Sequence, residues 1–101
     1  MLNTREFYSK LGSGVCVVKE GKILETYLLG EEEIQKIEKI ASMVSNFPKD
    51  FETGIVEFGE NSRFAVFRME DFFLIFPVRT DNVAEIMRKR EMIYGAQVLH
   101  S

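Results

Sequence analysis

One cysteine and one histidine are the residues of this chain that could supply a nucleophile and its base. Cys16 lies within the apolar run GVCVVK, and His100 is the second residue from the C-terminus. A cysteine in a strand pattern is typically a small core residue, and chain termini fray. We therefore predict that Cys16 belongs to the core, that His100 is incidental, and that the two form no catalytic pair.

Acidic and glycine clusters are the remaining groups that could hold a cation or a phosphate. The triplet EEE at residues 31–33 opens a helical pattern, where carboxylates interact favourably with the helix dipole and adjacent positions point in different directions. Glu70 and Asp71 fall in a predicted turn. The GSG at residues 12–14 precedes a strand and lacks the lysine and hydroxyl of a phosphate-binding loop. The sequence therefore predicts no catalytic residue, no cofactor, no metal and no nucleotide bound by this chain.

Length and composition predict one compact domain over residues 1–101. The chain is 46% hydrophobic and 29% charged, and its net charge of −3 argues against a general nucleic-acid binder. No apolar run approaches the roughly 20 residues that span a bilayer, and the charged N-terminus does not fit a signal peptide. A single cysteine cannot form an intrachain disulfide. We expect a cytoplasmic protein without membrane contact.

The positions of these groups are set by three apolar runs in the second half of the chain. Residues 55–59, 63–69 and 72–78 are separated by short polar connections, a pattern typical of an antiparallel meander. The last run, FFLIFPV, is apolar on both alternating faces, so it should be covered on both faces. Pro77 lacks a backbone N–H and should therefore lie at the end of this strand.

The remaining elements are predicted from capping residues and apolar spacing. Asn3 and Glu6 form a candidate capping pair for a short helix over residues 4–10. Strands at 14–19 and 23–29 flank a tight turn and form a hairpin. Apolar residues then recur at helical spacing until Pro48, which predicts a helix over 31–47. Cap candidates at 80–82 predict a last helix over 82–99.

The least interrupted strands should occupy the middle of one sheet. Pairing residues 14–19 with residues 72–78 satisfies this condition and gives the strand order 2-1-5-4-3. We thus predict an α+β fold, an α/β/α sandwich of profilin-like architecture with the element order α-β-β-α-β-β-β-α. The middle helix should cover one face of the five-stranded antiparallel sheet and the two terminal helices the other.

This order leaves residues 55–59 on an edge whose backbone groups are unpaired. The strand is apolar and carries no proline or lysine, which favours pairing with another chain. We therefore predict a two-fold dimer in which these edges pair antiparallel and the middle helices meet alongside. Its predicted interface residues are Ile55, Val56, Glu57, Phe58, Ile40, Met43, Val44 and Phe47.

The last helix has an apolar arc that is interrupted by polar residues. Arg90 and Gln97 fall within the arc formed by Val83, Ile86, Met87, Ile93, Tyr94 and Val98. Under one interpretation, Arg90 lays its methylenes on the core and carries its guanidinium to water. Under the other, this side of the helix meets a protein partner. Candidate partner contacts are Arg88, Lys89 and Arg90.

Three stretches together resemble the roadblock/dynein light chain family. They are GVCVVKEGKILETYLLG, EIQKIEKIASMV, and FFLIFPV followed by a capped helix. The resemblance implies a five-stranded antiparallel sheet between helices and a dimer through the edge strand and middle helix. It also implies a non-catalytic scaffold or regulator of Ras-like small GTPases, or a motor-complex light chain. A small-molecule sensor of profilin-like architecture is the alternative, and an enzyme is a third, less favoured class.

Overall fold

The computed structural model describes residues 4–59, 62–79 and 83–100, apart from the side chains of residues 4, 45, 83 and 94–100. Its elements follow the order helix, two strands, helix, three strands, helix. They are α1 (Thr4–Leu11), β1 (Val15–Lys19), β2 (Lys22–Tyr27), α2 (Glu31–Met43) with a 3₁₀ turn (Val44–Asn46), β3 (Thr53–Phe58), β4 (Ser62–Arg68), β5 (Phe73–Val78) and α3 (Val83–His100).

All five strands form one antiparallel sheet in the order β2-β1-β5-β4-β3. This confirms the predicted α+β fold and its strand order. The centre of β5 is buried on both faces, because Leu74 and Phe76 face one side and Ile75 faces the other. A strand without polar interruption has no face that can be left in water, so it takes the middle of the sheet.

Two apolar layers lie on opposite faces of the sheet. The first joins α1 and α3 to the sheet and contains Phe7, Leu11, Val15, Phe67, Leu74, Phe76, Ile86 and Ile93. The second joins α2 to the sheet and contains Cys16, Val18, Ile37, Ile40, Ala41, Val44, Val66 and Ile75. The predicted distribution of helices, with the middle helix on one face and the terminal helices on the other, is therefore confirmed.

The hairpin of β1 and β2 has a tight turn and an irregular outer strand. Glu20 and Gly21 both adopt positive φ, as the two central residues of a type I′ turn require. Val17 pairs with Glu25 while Val18 pairs with Ile23, so Leu24 is an extra residue in the β2 ladder. Such a bulge bends the strand and interrupts its outer row of backbone groups. The β2 edge is consequently a poor template for another strand.

Pairing between β1 and β5 stops before β5 ends. The ladder joins Val18 to Phe73 and Cys16 to Ile75, and continuing it would place Gly14 opposite Pro77. Residues of β5 alternate between β4 and β1 as hydrogen-bonding neighbours. The backbone N–H of Met69 donates to Phe72 O across the β4–β5 turn, so the even-numbered residues of β5 bond to β4 and the odd-numbered ones face β1. The backbone nitrogen of Pro77 therefore points toward β1. Since Pro77 has no N–H to donate, the two strands separate there.

Helix α2 begins as predicted but ends earlier. The backbone N–H of Gly30 donates to Glu33 Oε1 at 2.8 Å, a side-chain cap that confirms a capping role for Glu33. Regular α-helix ends at Met43 and is followed by a 3₁₀ turn through Asn46, so the predicted extension to Phe47 is wrong. The candidate caps at Asn3 and at residues 80–82 lie outside the described residues.

The boundaries of the other elements differ from prediction by at most two residues. Strand β2 ends at Tyr27 because Leu28 turns to positive φ, and β3 begins at Thr53, ahead of the predicted start at Ile55. In α3, Ile86 and Ile93 are buried as expected, whereas Met87 is 39% exposed, which corrects its assignment to the core. The side chains of Val83, Tyr94, Gln97 and Val98 lie outside the described residues.

None of the helices in the described ranges combines the length with the apolarity needed to cross a membrane.

Candidate functional site

Cys16 is fully buried in β1, beneath α2. Burial disfavours the thiolate and raises the pKa of the Cys16 thiol from 9.0 to about 12. A neutral, enclosed thiol is a poor nucleophile, so the prediction of a core cysteine is confirmed. The side chain of His100, the other half of the pair considered from sequence, lies outside the described residues.

Acidic side chains are dispersed over the described surface. Glu33 caps α2, and Asp71 in the β4–β5 turn lies 3.5 Å from Lys19 Nζ in an exposed ion pair. Exposed pairs of this kind contribute at most about 1 kcal/mol to stability. Within the described residues, no group of three or more histidine, cysteine, aspartate or glutamate side chains is arranged to hold a metal ion.

The free edge of β3 is regular and presents a defined set of backbone groups. The backbone N–H of Arg68 donates to Glu52 O, so Glu52 and Arg68 occupy a hydrogen-bonded position at one end of the β3–β4 ladder. Because such pairs alternate along an antiparallel ladder, even-numbered residues of β3 bond to β4. The N–H and C=O groups of Thr53, Ile55 and Glu57 therefore point outward along the edge.

The side chains of this edge are more apolar than those of a protected one. Ile55, Val56 and Phe58 are half-buried by their own protomer, and Glu57 is exposed. Arg63 Nε donates to Glu57 Oε1 at 3.0 Å, so the one charge on the edge is neutralised by a neighbour on β4. The described part of β3 shows no bulge, in contrast to β2.

Helix α2 approaches the β3 side of the sheet, but two of its predicted interface residues point inward. Lys36 Nζ donates to Ser62 Oγ at 2.6 Å, which brings α2 to β4, the neighbour of β3. Ile40 and Val44 are buried in the layer beneath α2 and hold the helix on its own sheet, so neither side chain is available to a second copy. Met43 is 41% exposed and Phe47 is half-buried.

Arg68 organises the connection between α2 and β3, a role that its sequence context did not reveal. Its Nε donates to Phe51 O at 2.6 Å, its Nη2 donates to Pro48 O at 3.0 Å, and its guanidinium carbon lies 4.8 Å from the centre of the Phe73 ring. The rings of Phe47 and Phe51 lie 4.7 Å apart in the same connection. The Phe51 ring also rests on Gly54, where a Cβ atom would lie 2.7 Å from it.

The basic run on α3 divides between surface and interior. Arg88 is exposed, whereas Lys89 and Arg90 are half-buried. The Nε atom of Arg90 is shielded from water, so the expectation that its guanidinium simply extends into solvent does not hold for this atom. The three side chains therefore differ in how accessible they are to a partner.

A cleft of about 920 Å³ opens at the end of the sheet where β1 and β5 separate. It is bordered by the loop from Gly12 to Gly14, by the first turns of α2 and by residues of α3. The start of β4 and the end of β5 complete its walls. Its charged lining residues are Lys36, Arg63, Arg79, Lys89, Glu32, Glu33 and Glu85. This cleft lies at the sheet's end and not between sheet and helix, where the phenylalanine-rich core is filled.

Comparison with known proteins gives one informative match. No protein-family model matches the chain. An uncharacterized protein of Archaeoglobus fulgidus is 42% identical to it over 87 residues, which cover 86% of this chain and 88% of the archaeal one. Identity at this level over most of both chains shows common descent, and the chain belongs to the same family as this Archaeoglobus fulgidus protein.

Proposed function

We propose that this chain is a non-catalytic, dimeric regulator or scaffold that binds a Ras-like small GTPase in the cytoplasm. The observation that carries the proposal is the regular, apolar and unpaired edge of β3, on a five-stranded antiparallel sheet between helices such as the roadblock resemblance implies. A sheet edge of this kind serves association better than it serves chemistry. Any nucleotide in the complex would belong to the partner.

The orientation of the backbone groups restricts how two β3 edges can pair. In a two-fold antiparallel ladder, outward-facing residues must lie opposite one another. Placing the axis between the two Ile55 residues also puts Thr53 opposite Glu57 of the second copy, so all three outward residues form hydrogen-bonded pairs. Shifting the axis to Glu57 would place two carboxylates opposite each other, which is unfavourable. We propose the register centred on Ile55.

Cysteine cross-linking tests this register directly. Opposed residues in a hydrogen-bonded pair have Cα atoms about 5.5 Å apart, within the range of a disulfide. Ile55→Cys should therefore form a covalent dimer under mild oxidation, as seen on a non-reducing gel. The buried native Cys16 should not interfere.

Glu57→Cys is the matched control for the cross-link. In the proposed register, the two copies of residue 57 are offset by four residues, or about 14 Å along the strand. Efficient cross-linking of Glu57→Cys, or none of Ile55→Cys, would contradict the register. A monomer at micromolar concentration in analytical ultracentrifugation would contradict the dimer itself.

GTPase binding needs a separate measurement with purified components. Each Ras-like GTPase of the source genome should be titrated in its GDP state and in a non-hydrolysable GTP state by calorimetry. We expect one of them to bind, with preference for one nucleotide state. Because Arg88 is exposed, Arg88→Glu should weaken binding, while Lys39→Glu on α2 serves as the exposed control. Failure of every GTPase in both states would refute the proposal.

A small-molecule sensor remains a second candidate function because of the cleft beside Pro77. The interior itself offers little space, since Phe67, Phe76 and Leu74 are fully buried between the sheet and the terminal helices. A sensor built on this chain would therefore use the end of the sheet. Ligand-dependent change in dimer or GTPase affinity would separate this function from plain scaffolding.

A further inference from the structure

We propose that the cleft at the separated ends of β1 and β5 binds a small organic molecule through an oxyanion group, a phosphate or a carboxylate. The proposal depends on the cations that line the cleft, on the separation of β1 and β5 that keeps it open, and on its apolar lining residues. It holds whether or not the chain binds a GTPase.

Positive side chains converge on the cleft from four different elements or their ends. Lys36 comes from α2, Arg63 from β4, Arg79 from the end of β5 and Lys89 from α3. Among the described residues, no carboxylate oxygen lies within 4.0 Å of the side-chain nitrogens of Lys36, Arg79 or Lys89. The fourth cation, Arg63, forms an ion pair with Glu57, so Lys36, Arg79 and Lys89 are the cations open to a bound anion.

In the described part of the chain, the acidic residues around the cleft form no ion pair with Lys36, Arg79 or Lys89. Glu33 Oε1 accepts a hydrogen bond from the backbone N–H of Gly30, so one oxygen of this carboxylate is directed to the N-terminus of α2. Glu32 is exposed on the first turn of the same helix. Glu85 has its own interaction within the protein. A bound oxyanion would supply the direct ion-pair partner that these three cations lack.

One cation of the cleft is held in position. Lys36 Nζ donates to Ser62 Oγ at 2.6 Å, which anchors the half-buried ammonium above the start of β4. An ammonium group has three donors, so two remain for a ligand. Charge-assisted hydrogen bonds from a positioned ammonium are among the stronger polar contacts in proteins.

The opening and its apolar walls are built into the backbone. Pro77 cannot donate to Gly14, so β1 and β5 do not close over the cleft. Its walls include Leu11, Phe64, Val78 and the largely exposed Leu28. A lining that combines charged groups with apolar side chains favours an organic molecule over a bare ion.

Nuclear magnetic resonance titration of the full chain tests the proposal with three probes: benzoate, adenosine monophosphate and inorganic phosphate, all at constant ionic strength set by chloride. We expect saturable shifts of the amide signals of Gly12, Gly14 and Lys36 with benzoate or the nucleotide. Which of the two binds more tightly distinguishes a carboxylate from a phosphate ligand. Inorganic phosphate alone should bind at least about tenfold more weakly, because it makes no apolar contact.

Variants separate this site from general anion attraction. Lys36→Met with Lys89→Met should weaken binding of the organic probe at least about tenfold. Lys39→Met, which removes an exposed charge outside the cleft, should leave it unchanged. If the double variant melts early, Arg79→Gln and Lys89→Met as single variants provide the same test. The proposal would be overturned if no probe gave saturable shifts or if the variants bound the organic probe as tightly as the native chain. It would also be overturned if inorganic phosphate bound as tightly as either organic probe, because the site would then hold an adventitious ion only.

Discussion

Gly14, just before β1, packs directly against the backbone of Leu28, just after β2. A Cβ atom at this position would clash with the carbonyl oxygen of Leu28 and would lie 2.8 Å from its carbonyl carbon. Both are backbone atoms, which cannot move aside as the end of a flexible side chain can. The glycine therefore fixes how β1 enters the sheet next to the cleft.

Gly14→Ala should destabilise the protein by about 3 kcal/mol, a cost typical of overpacking against a rigid neighbour. Urea unfolding followed by circular dichroism measures this difference. Gly30→Ala is the matched control, because its nearest contact is Glu33 Oε1 at 3.5 Å and its φ is −76°. The control should lose less than about 1 kcal/mol. Equal losses in both variants would refute the close approach at Gly14.

Cys16 makes stability dependent on pH in the alkaline range. The pKa of its thiol is about 12 in the folded state and 9.0 as the model value for an accessible thiol. Above pH 9 the unfolded chain releases this proton while the folded chain keeps it, so the free energy of unfolding falls as pH rises toward 12. The slope from this one group approaches about 1.4 kcal/mol per pH unit.

Cys16→Ala should therefore show a shallower loss of stability between pH 9 and pH 10.5 than the native chain. Denaturant unfolding at several pH values measures both curves, and lysines and tyrosines titrate equally in the two proteins. Below pH 8 the two curves should run parallel. Identical slopes above pH 9 would mean that the thiol is accessible in the folded state.

The positions of single residues in the fold were predictable from sequence where the chemistry of the residue itself determines its position. Cys16 is apolar and small, and Pro77 lacks a donor, so both positions followed from chemistry alone. Arg68 was interpreted only as a polar interruption of β4. Its acceptors are the backbone carbonyls of Pro48 and Phe51, and carbonyls occur at every position, so no sequence pattern identifies them.

At the scale of elements, the connection between α2 and β3 depends on Arg68. Arg68→Met removes two hydrogen bonds and the contact with the Phe73 ring, and should cost about 2 kcal/mol. Hydrogen exchange should also become faster at residues 47–52. Arg63→Met is the control, since it removes only an exposed pair worth less than about 1 kcal/mol. Similar costs for both variants would refute a special role for Arg68.

Proline substitutions distinguish the two sides of β3. Glu57→Pro removes an N–H that points outward, so it should abolish dimers in sedimentation while the monomer stays folded. Val56→Pro removes an N–H that bonds to β4 and should unfold the sheet edge, with a loss of about 3 kcal/mol or more. Equal unfolding by both prolines would mean that the inferred alternation is wrong, and a dimer of Glu57→Pro would exclude this edge from the interface.

Element boundaries were less predictable than element types. The apolar spacing of α2 continues to Phe47, yet the α-helix ends at Met43 because the next residues tighten into a 3₁₀ turn and Phe47 packs against Phe51. Spacing alone does not distinguish the two kinds of turn. In the same way, it did not reveal that Ile40 and Val44 serve their own core, since a helix turned slightly about its axis would present them to a partner.

For the whole molecule, the strand order followed from ranking the runs by polar interruption. The runs with the fewest polar residues became β1 and β5, which are neighbours inside the sheet; the hairpin partner of β1 and the far end of the meander, β2 and β3, then became its edges. The cleft was not predicted, because it depends on the failure of two residues 63 positions apart, Gly14 and Pro77, to pair across the sheet. By contrast, the number of phenylalanines in the strands did indicate that the space between sheet and helices is filled by side chains.

The extra residue at Leu24 has a consequence for how far assembly can proceed. A sheet with two regular borders could add copies at both sides and grow into a fibre. Here one border is irregular, and the other would be consumed when two copies join about a symmetry axis. Assembly would then stop at the dimer. Deletion of Leu24 would restore a second regular sheet edge and allow polymers to form.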